Sequence, residues 1–167
     1  MIMNRFARCI MIGLMLLLAF GPTATASAGG KPVRIRIPFG PPSTVSGVCE
    51  FDVTWEALSD NMYLTIFTEE DATRFLITGV LMSRFTNVIT GKSVDLNTSA
   101  QMTQVVYNDG YFESTLEGPF IGAWDFPGNP PFAYVKGRQF ERYDPEGNLI
   151  KATQSGQVQD VCAMLSN

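Results

Sequence analysis

Turn-forming clusters punctuate the chain throughout, and the runs between them show almost no 3.6-residue periodicity from which a helix could build an apolar stripe. The clusters are Gly40-Pro41-Pro42, Glu69-Glu70-Asp71, Thr90-Gly91-Lys92, Asn108-Asp109-Gly110, the segment 125–131, and Asp144-Pro145-Glu146-Gly147-Asn148. The runs between them are rich in Val, Ile, Thr, Phe and Tyr. Branched and aromatic side chains suit a pleated, half-buried surface, and short strands at this spacing predict a sandwich or a barrel. Strands are expected over 33–37, 49–57, 62–67, 73–80, 82–89, 93–97, 102–107, 111–117, 134–143, 149–153 and 158–161. Residues 163–165 read as a terminal turn of helix. The best hairpin joins 102–107 to 111–117 through Asn108-Asp109-Gly110.

Residues 49–57 show the clearest alternation. Cys49, Phe51, Val53, Trp55 and Ala57 fall on one face, while Glu50, Asp52, Thr54 and Glu56 fall on the other. Side chains alternate along a strand, so one face of this segment is buried and the other is wet. Successive hairpins favour an up-and-down meander, and closing it removes exposed edges. The expected fold is therefore all-β, a single antiparallel β-barrel of about eight to ten strands, with a β-sandwich as the alternative.

The amino terminus reads as an export signal. Arg5 and Arg8 precede an apolar run over 9–20, Gly21-Pro22 breaks it, and Ala26-Ser27-Ala28 fits a small-x-small cleavage rule. Twelve apolar residues are too few to span about 30 Å of hydrocarbon. The expected division is a signal peptide over 1–28, an N-terminal arm over 29–47, and a barrel domain over 48–167. The expected localisation is secreted, in the extracellular space or cell envelope, with cleavage near Ala28 and no membrane span afterwards.

Cleavage removes Arg5, Arg8 and Cys9, leaving 10 basic residues against 16 acidic ones, a net charge of −6. Nucleic-acid binding needs clustered Lys and Arg, so no nucleic-acid partner is expected. Two cysteines remain, Cys49 and Cys162, and an even count in an exported chain reads as a disulfide. The chain has no histidine, which excludes Ser-His-Asp and Cys-His hydrolysis and every His-ligated metal. Two thiols without histidine make a poor metal site, so no metal and no cofactor are expected.

Three segments carry a family resemblance: Ser46-Gly47-Val48-Cys49-Glu50-Phe51-Asp52-Val53, the stretch Thr86 to Ser99 containing Asn87 and Gly91-Lys92-Ser93, and Gly156 to Leu165. Together they resemble a family of small secreted bacterial β-barrel proteins of unassigned function, loosely similar to the allene oxide cyclase and lipocalin barrels. The resemblance covers about residues 46–165 and implies a compact barrel. No catalytic cyclase residue maps onto this chain, and fold alone confers no chemistry. The resemblance implies a glycine–proline bend before the Asn87 strand, where this chain reads Gly79-Val80-Leu81-Met82.

Candidate chemistry is sparse. Glu113 and Glu117 share a strand face with Tyr111 and Thr115. Four residues of strand span about 13 Å, too far for a glycosidase pair, so these acids read as a solvated outer face. Recurring aromatics, among them Phe67, Phe75, Phe85, Phe112 and Phe140, can fill a small barrel or line a ligand cavity. Phe120, Trp124, Phe126 and Phe132 surround a proline-stiffened stretch, Pro127 to Pro131, and form the candidate binding site. The expected role is non-catalytic binding of a small apolar ligand or an extracellular protein partner. The alternatives are a cyclase- or isomerase-type enzyme acting in the barrel, and a purely structural envelope protein.

Overall fold

Most turn clusters join neighbouring strands, so the chain zigzags into one antiparallel sheet. The structure, a computed structural model, describes residues 30–122, 126 and 128–166. The expected signal peptide lies outside the described residues. The elements are β1 (Val33–Ile37), β2 (Ser43–Val45), β3 (Val53–Thr68), β4 (Ala72–Asn87), β5 (Ser93–Asn97), β6 (Gln101–Tyr107), β7 (Phe112–Gly122), β8 (Ala133–Tyr143), β9 (Leu149–Asp160) and helix α1 (Val161–Leu165). The nine-stranded sheet runs β1-β3-β4-β6-β7-β8-β9, with β2 paired to one half of β3 and β5 to one half of β4. The all-β class and the single antiparallel sheet hold. Closure does not follow: among the described residues no pairing joins β1 to β9, and the sheet keeps two free edges.

Several expected boundaries move. The turn at Ser59-Asp60 does not form, and β3 runs as one strand of 16 residues with a register shift between Ala57 and Ser59. The expected strands 73–80 and 82–89 likewise fuse into β4, and 149–153 and 158–161 fuse into β9. The strand expected from residue 49 begins at Val53. The arm belongs to the sheet, because β1 pairs with Met62–Ile66 and β2 with Val53–Trp55, both in β3.

Strands of this length must bend. Sixteen residues at about 3.3 Å each would run roughly 53 Å if straight, longer than a domain of this size is wide. The β3 bulge supplies one bend. Gly79, paired with Met62 beyond the bulge, has φ +140°, and a Cβ there would collide with the Asn61 carbonyl. This glycine replaces the bend that the family resemblance implied. Gly118, Gly137 and Gly156 lie directly opposite one another across β7, β8 and β9, and supply the other bend. A Cβ on Gly137 would strike the Ser155 carbonyl, and one on Gly156 the Lys136 carbonyl.

The bent sheet curls on itself. From β3 to β9 the sheet order counts five inter-strand steps, about 24 Å if flat. Yet the Cα atoms of Cys49, just before β3, and Cys162, just after β9, are 5.5 Å apart and their side chains form the expected disulfide. Asp160 caps α1 by accepting from the Ala163 amide. Val161 and Leu165 pack with Val53, Phe85, Leu96, Phe132 and Tyr134. Asn87 joins the same end: its Nδ2 donates to the Leu165 carbonyl at 3.2 Å, and its Oδ1 accepts from the Ile89 and Thr90 amides. The three segments that carried the resemblance therefore meet at one end of the sheet, where they build structure.

A second cluster contains Ala100, Leu116, Phe120, Ala133 and Val135. Alternate side chains at the start of β8 thus feed different clusters. Phe132 and Tyr134 face the helix end, while Ala133 and Val135 face the other way.

The glycine row gives a direct check. Gly156→Ala forces a backbone collision at a positive φ and is expected to cost about 3 kcal/mol or more. Gly147→Ala, also at positive φ but with open space around it, should cost only about 1–2 kcal/mol. Urea melts of both variants measure the difference.

Candidate functional site

The expected aromatic site is divided by the fold. Phe120 is buried in the Ala100–Leu116 cluster. Phe132 is buried at the helix end, with its ring edge-on to Phe85 at 5.5 Å. Both rings are committed to the core. Phe126 is half-buried. Trp124 lies outside the described residues. Further along the same connection, Asn129 and Gln154 exchange two side-chain hydrogen bonds of 3.0 Å, which ties the segment to β9.

The outer face of the sheet carries charge, and the charge is paired. Glu113 meets Arg142 at 3.4 Å and Glu117 meets Arg138 at 3.1 Å, across the β7–β8 ladder. Both acids lie on the outer face that their spacing implied; Glu117 and Arg138 are an exposed pair that stabilises little, and Glu113 is half-buried and also accepts from the Tyr107 hydroxyl. Cations also lie over rings on this face: Arg34 over Tyr63, Arg74 over Phe67, and Lys151 over Phe140. Among the described residues no three His, Cys, Asp or Glu side chains converge on a metal-sized centre.

The concave face is different. Register carries one row of directly opposed residues across the sheet: Val33, Ile66, Phe75, Gln104, Ser114, Glu141 and Ala152. The adjacent row reads Ile35, Leu64, Ile77, Met102, Leu116, Gln139 and Gln154. Each row starts apolar on β1, β3 and β4 and turns polar toward β8. Val33 and Ile35 are exposed, and Leu64, Ile66, Phe75 and Ile77 are half-buried. At the polar end Ser114, Gln139 and Glu141 are buried.

Glu141 is the centre of this end. It is only 6% exposed, and its Oε1 accepts from Gln139 Nε2 at 2.8 Å. Its Oε2 accepts from the Tyr143 hydroxyl at 2.9 Å. Phe112 packs beside Tyr143 with ring centroids 5.8 Å apart. Among the described residues no cation pairs with Glu141, and Arg142 points to the other face, toward Glu113. A buried carboxylate held by neutral donors alone is an expensive arrangement and a frequent mark of a site. The sequence reading passed over Gln139, Glu141 and Tyr143. Their position on the concave face follows from the β7–β8 register and was not readable from residue type.

Two open grooves lie elsewhere. One of about 550 Å³ is lined by Asn97, Gly118, Pro119, Tyr134, Lys136 and Gly137, where the sheet splits between β5 and β7. The Tyr134 hydroxyl spans the split by donating to the Asn97 carbonyl at 2.9 Å. The second, of about 410 Å³, lies over β8 and β9 beside Arg138 and Lys151.

Burial pushes the Tyr143 phenol well above its ordinary value of 10, and the Glu141 charge pushes it further. A raised phenol favours the folded state while the unfolded tyrosine is still protonated. That stability is present below pH 10 and is lost as pH rises beyond it. The Tyr143→Phe variant should therefore lose less stability than wild type between neutral pH and pH 11. At neutral pH it should be less stable by about 1–2 kcal/mol, because the buried carboxylate loses a donor. Denaturant melts across pH measure both effects. No protein-family model, curated protein or solved structure matches this chain.

Proposed function

We propose that the protein is an exported binding protein whose concave face holds a small ligand with an apolar body and a cationic or hydrogen-bond-donating end. One observation carries this reading: the buried Glu141 carboxylate, without a cation, at the end of rows of half-exposed apolar side chains. The apolar body would lie along Leu64, Ile66, Phe75 and Ile77, and the polar end would meet Glu141 beside the Tyr143 ring. Charge against carboxylate and ring face is strong where water is thin. The Cys49–Cys162 bond supports export, because disulfides persist in oxidising compartments. Among the described residues no helix is long and apolar enough to cross a membrane.

The contact between Glu141 and Tyr143 also supports a second reading, an isomerase- or cyclase-type reaction. A carboxylate and a protonated phenol 2.9 Å apart are a base and an acid within reach of one substrate. Chemical conversion of a co-purifying molecule, in place of simple retention, favours this reading.

Titration calorimetry with hexylammonium and with hexanoate separates binding from its absence. Hexylammonium should bind at least about tenfold more tightly than hexanoate, and Glu141→Gln should abolish the preference. Equal affinities, or no heat from either probe, would remove Glu141 from any ligand site.

A further inference from the structure

The two free edges of the sheet are unlike each other. β1 has only five residues, and Pro32 and Pro38 bracket it. It carries Arg34 and Arg36. Short length, flanking proline and positive charge are the devices by which edge strands avoid pairing with other chains. β9 carries fewer of them, a single lysine and a register shift near its start. It is 12 residues long, contains no proline, and is exposed at nine positions. Lys151 is its only charged residue before the helix cap Asp160.

The chain cannot cover β9 with β1 in the pattern it uses everywhere else. Every pairing along the sheet is antiparallel, and six steps separate the two edges. Six reversals leave β1 and β9 running in the same direction, so neither can serve as the antiparallel partner of the other.

We propose that β9 is the interface of a two-fold dimer, in which it pairs antiparallel with β9 of a second copy and makes one sheet continuous through both. Charge selects this occupant. For a two-fold centre at Gln154 or Ser155, Lys151 falls opposite a neutral residue, Gln157 or Gln159. The same operation on β1 fails. A centre at Ile35 sets Arg34 against Arg36 of the copy, and a centre at Arg34 or Arg36 sets an arginine against itself. Like charges directly opposed destabilise a ladder. The exposed side chains of Thr153, Gln157 and Val158 become cross-strand neighbours in the dimer, and the free amides and carbonyls of β9 gain partners. This interface is independent of the Glu141 site.

Sedimentation velocity on the exported, disulfide-intact protein tests the proposal. Wild type should sediment as a dimer in the micromolar range. The double variant Ser155→Lys with Gln157→Lys places like charges across the two-fold and should weaken dimerisation at least about tenfold. Val33→Lys with Ile35→Lys adds the same charge to β1 and should leave the dimer unchanged. Amide hydrogen exchange on wild type gives a second measure that needs no variant: β9 amides should slow with rising protein concentration while β1 amides do not. A wild type that stays monomeric overturns the proposal. So does a dimer unaffected by the β9 lysines, a dimer lost through the β1 lysines, or β9 exchange that ignores concentration.

Discussion

The bond between Cys49 and Cys162 holds together two parts of the sheet that strand pairing alone would leave far apart. It closes a loop of 113 residues, for which the chain-entropy model assigns about 4–5 kcal/mol, with measured values usually lower. Its geometric consequence is larger than its energy. Joining the start of β3 to the helix after β9 forces curvature on every strand between them. The curl then needs glycine where backbones approach, at Gly79 and along the row of Gly118, Gly137 and Gly156. It also needs α1 to fill the closed end, which Val161 and Leu165 do with no exposed surface. At the opposite end nothing equivalent among the described residues fills the concave face, and the apolar rows there are only half-buried.

That contrast separates the charge of the outer face from the charge of the concave one. The ion pairs of the outer face sit in water and nearly balance their own desolvation. Glu141 sits on the other side of the same strand and meets only an amide and a hydroxyl. Neutral donors satisfy its lone pairs without cancelling its charge.

The sequence was legible wherever alternation and turn chemistry agreed. The hairpins at Asn108-Asp109-Gly110 and Asp144 to Asn148, the terminal helix and the disulfide all stand in the structure. It misled where a strand contains residues that usually end one. Ser59-Asp60 and Gly79-Val80 look like breaks, yet here they pair within strands too long to stay straight, one just after the β3 bulge and the other at the β4 bend. β8 was harder still. Along Lys136-Gly137-Arg138-Gln139-Phe140-Glu141-Arg142-Tyr143 the hydropathy pattern suggests Phe140 inside and its neighbours outside. The register does the reverse: Phe140 lies outward beneath Lys151, and Gln139 and Glu141 are buried. In the aromatic cluster after β7, Phe120 and Phe132 lie at strand ends whose side chains turn into the core, which residue type alone does not reveal.

Openness is the property that the curl and the strand count produce together. Curvature brings the far sides of the sheet toward each other at the disulfide end. The odd number of strands along the sheet path prevents the same sides from pairing antiparallel. A closed barrel would seal its interior and abolish its edges. Among the described residues this fold keeps an open concave face with Glu141 buried at its polar end, and one long edge that carries a single lysine. Both follow from the same geometry, because an additional antiparallel strand between β1 and β9 would cover the edge and roof the face.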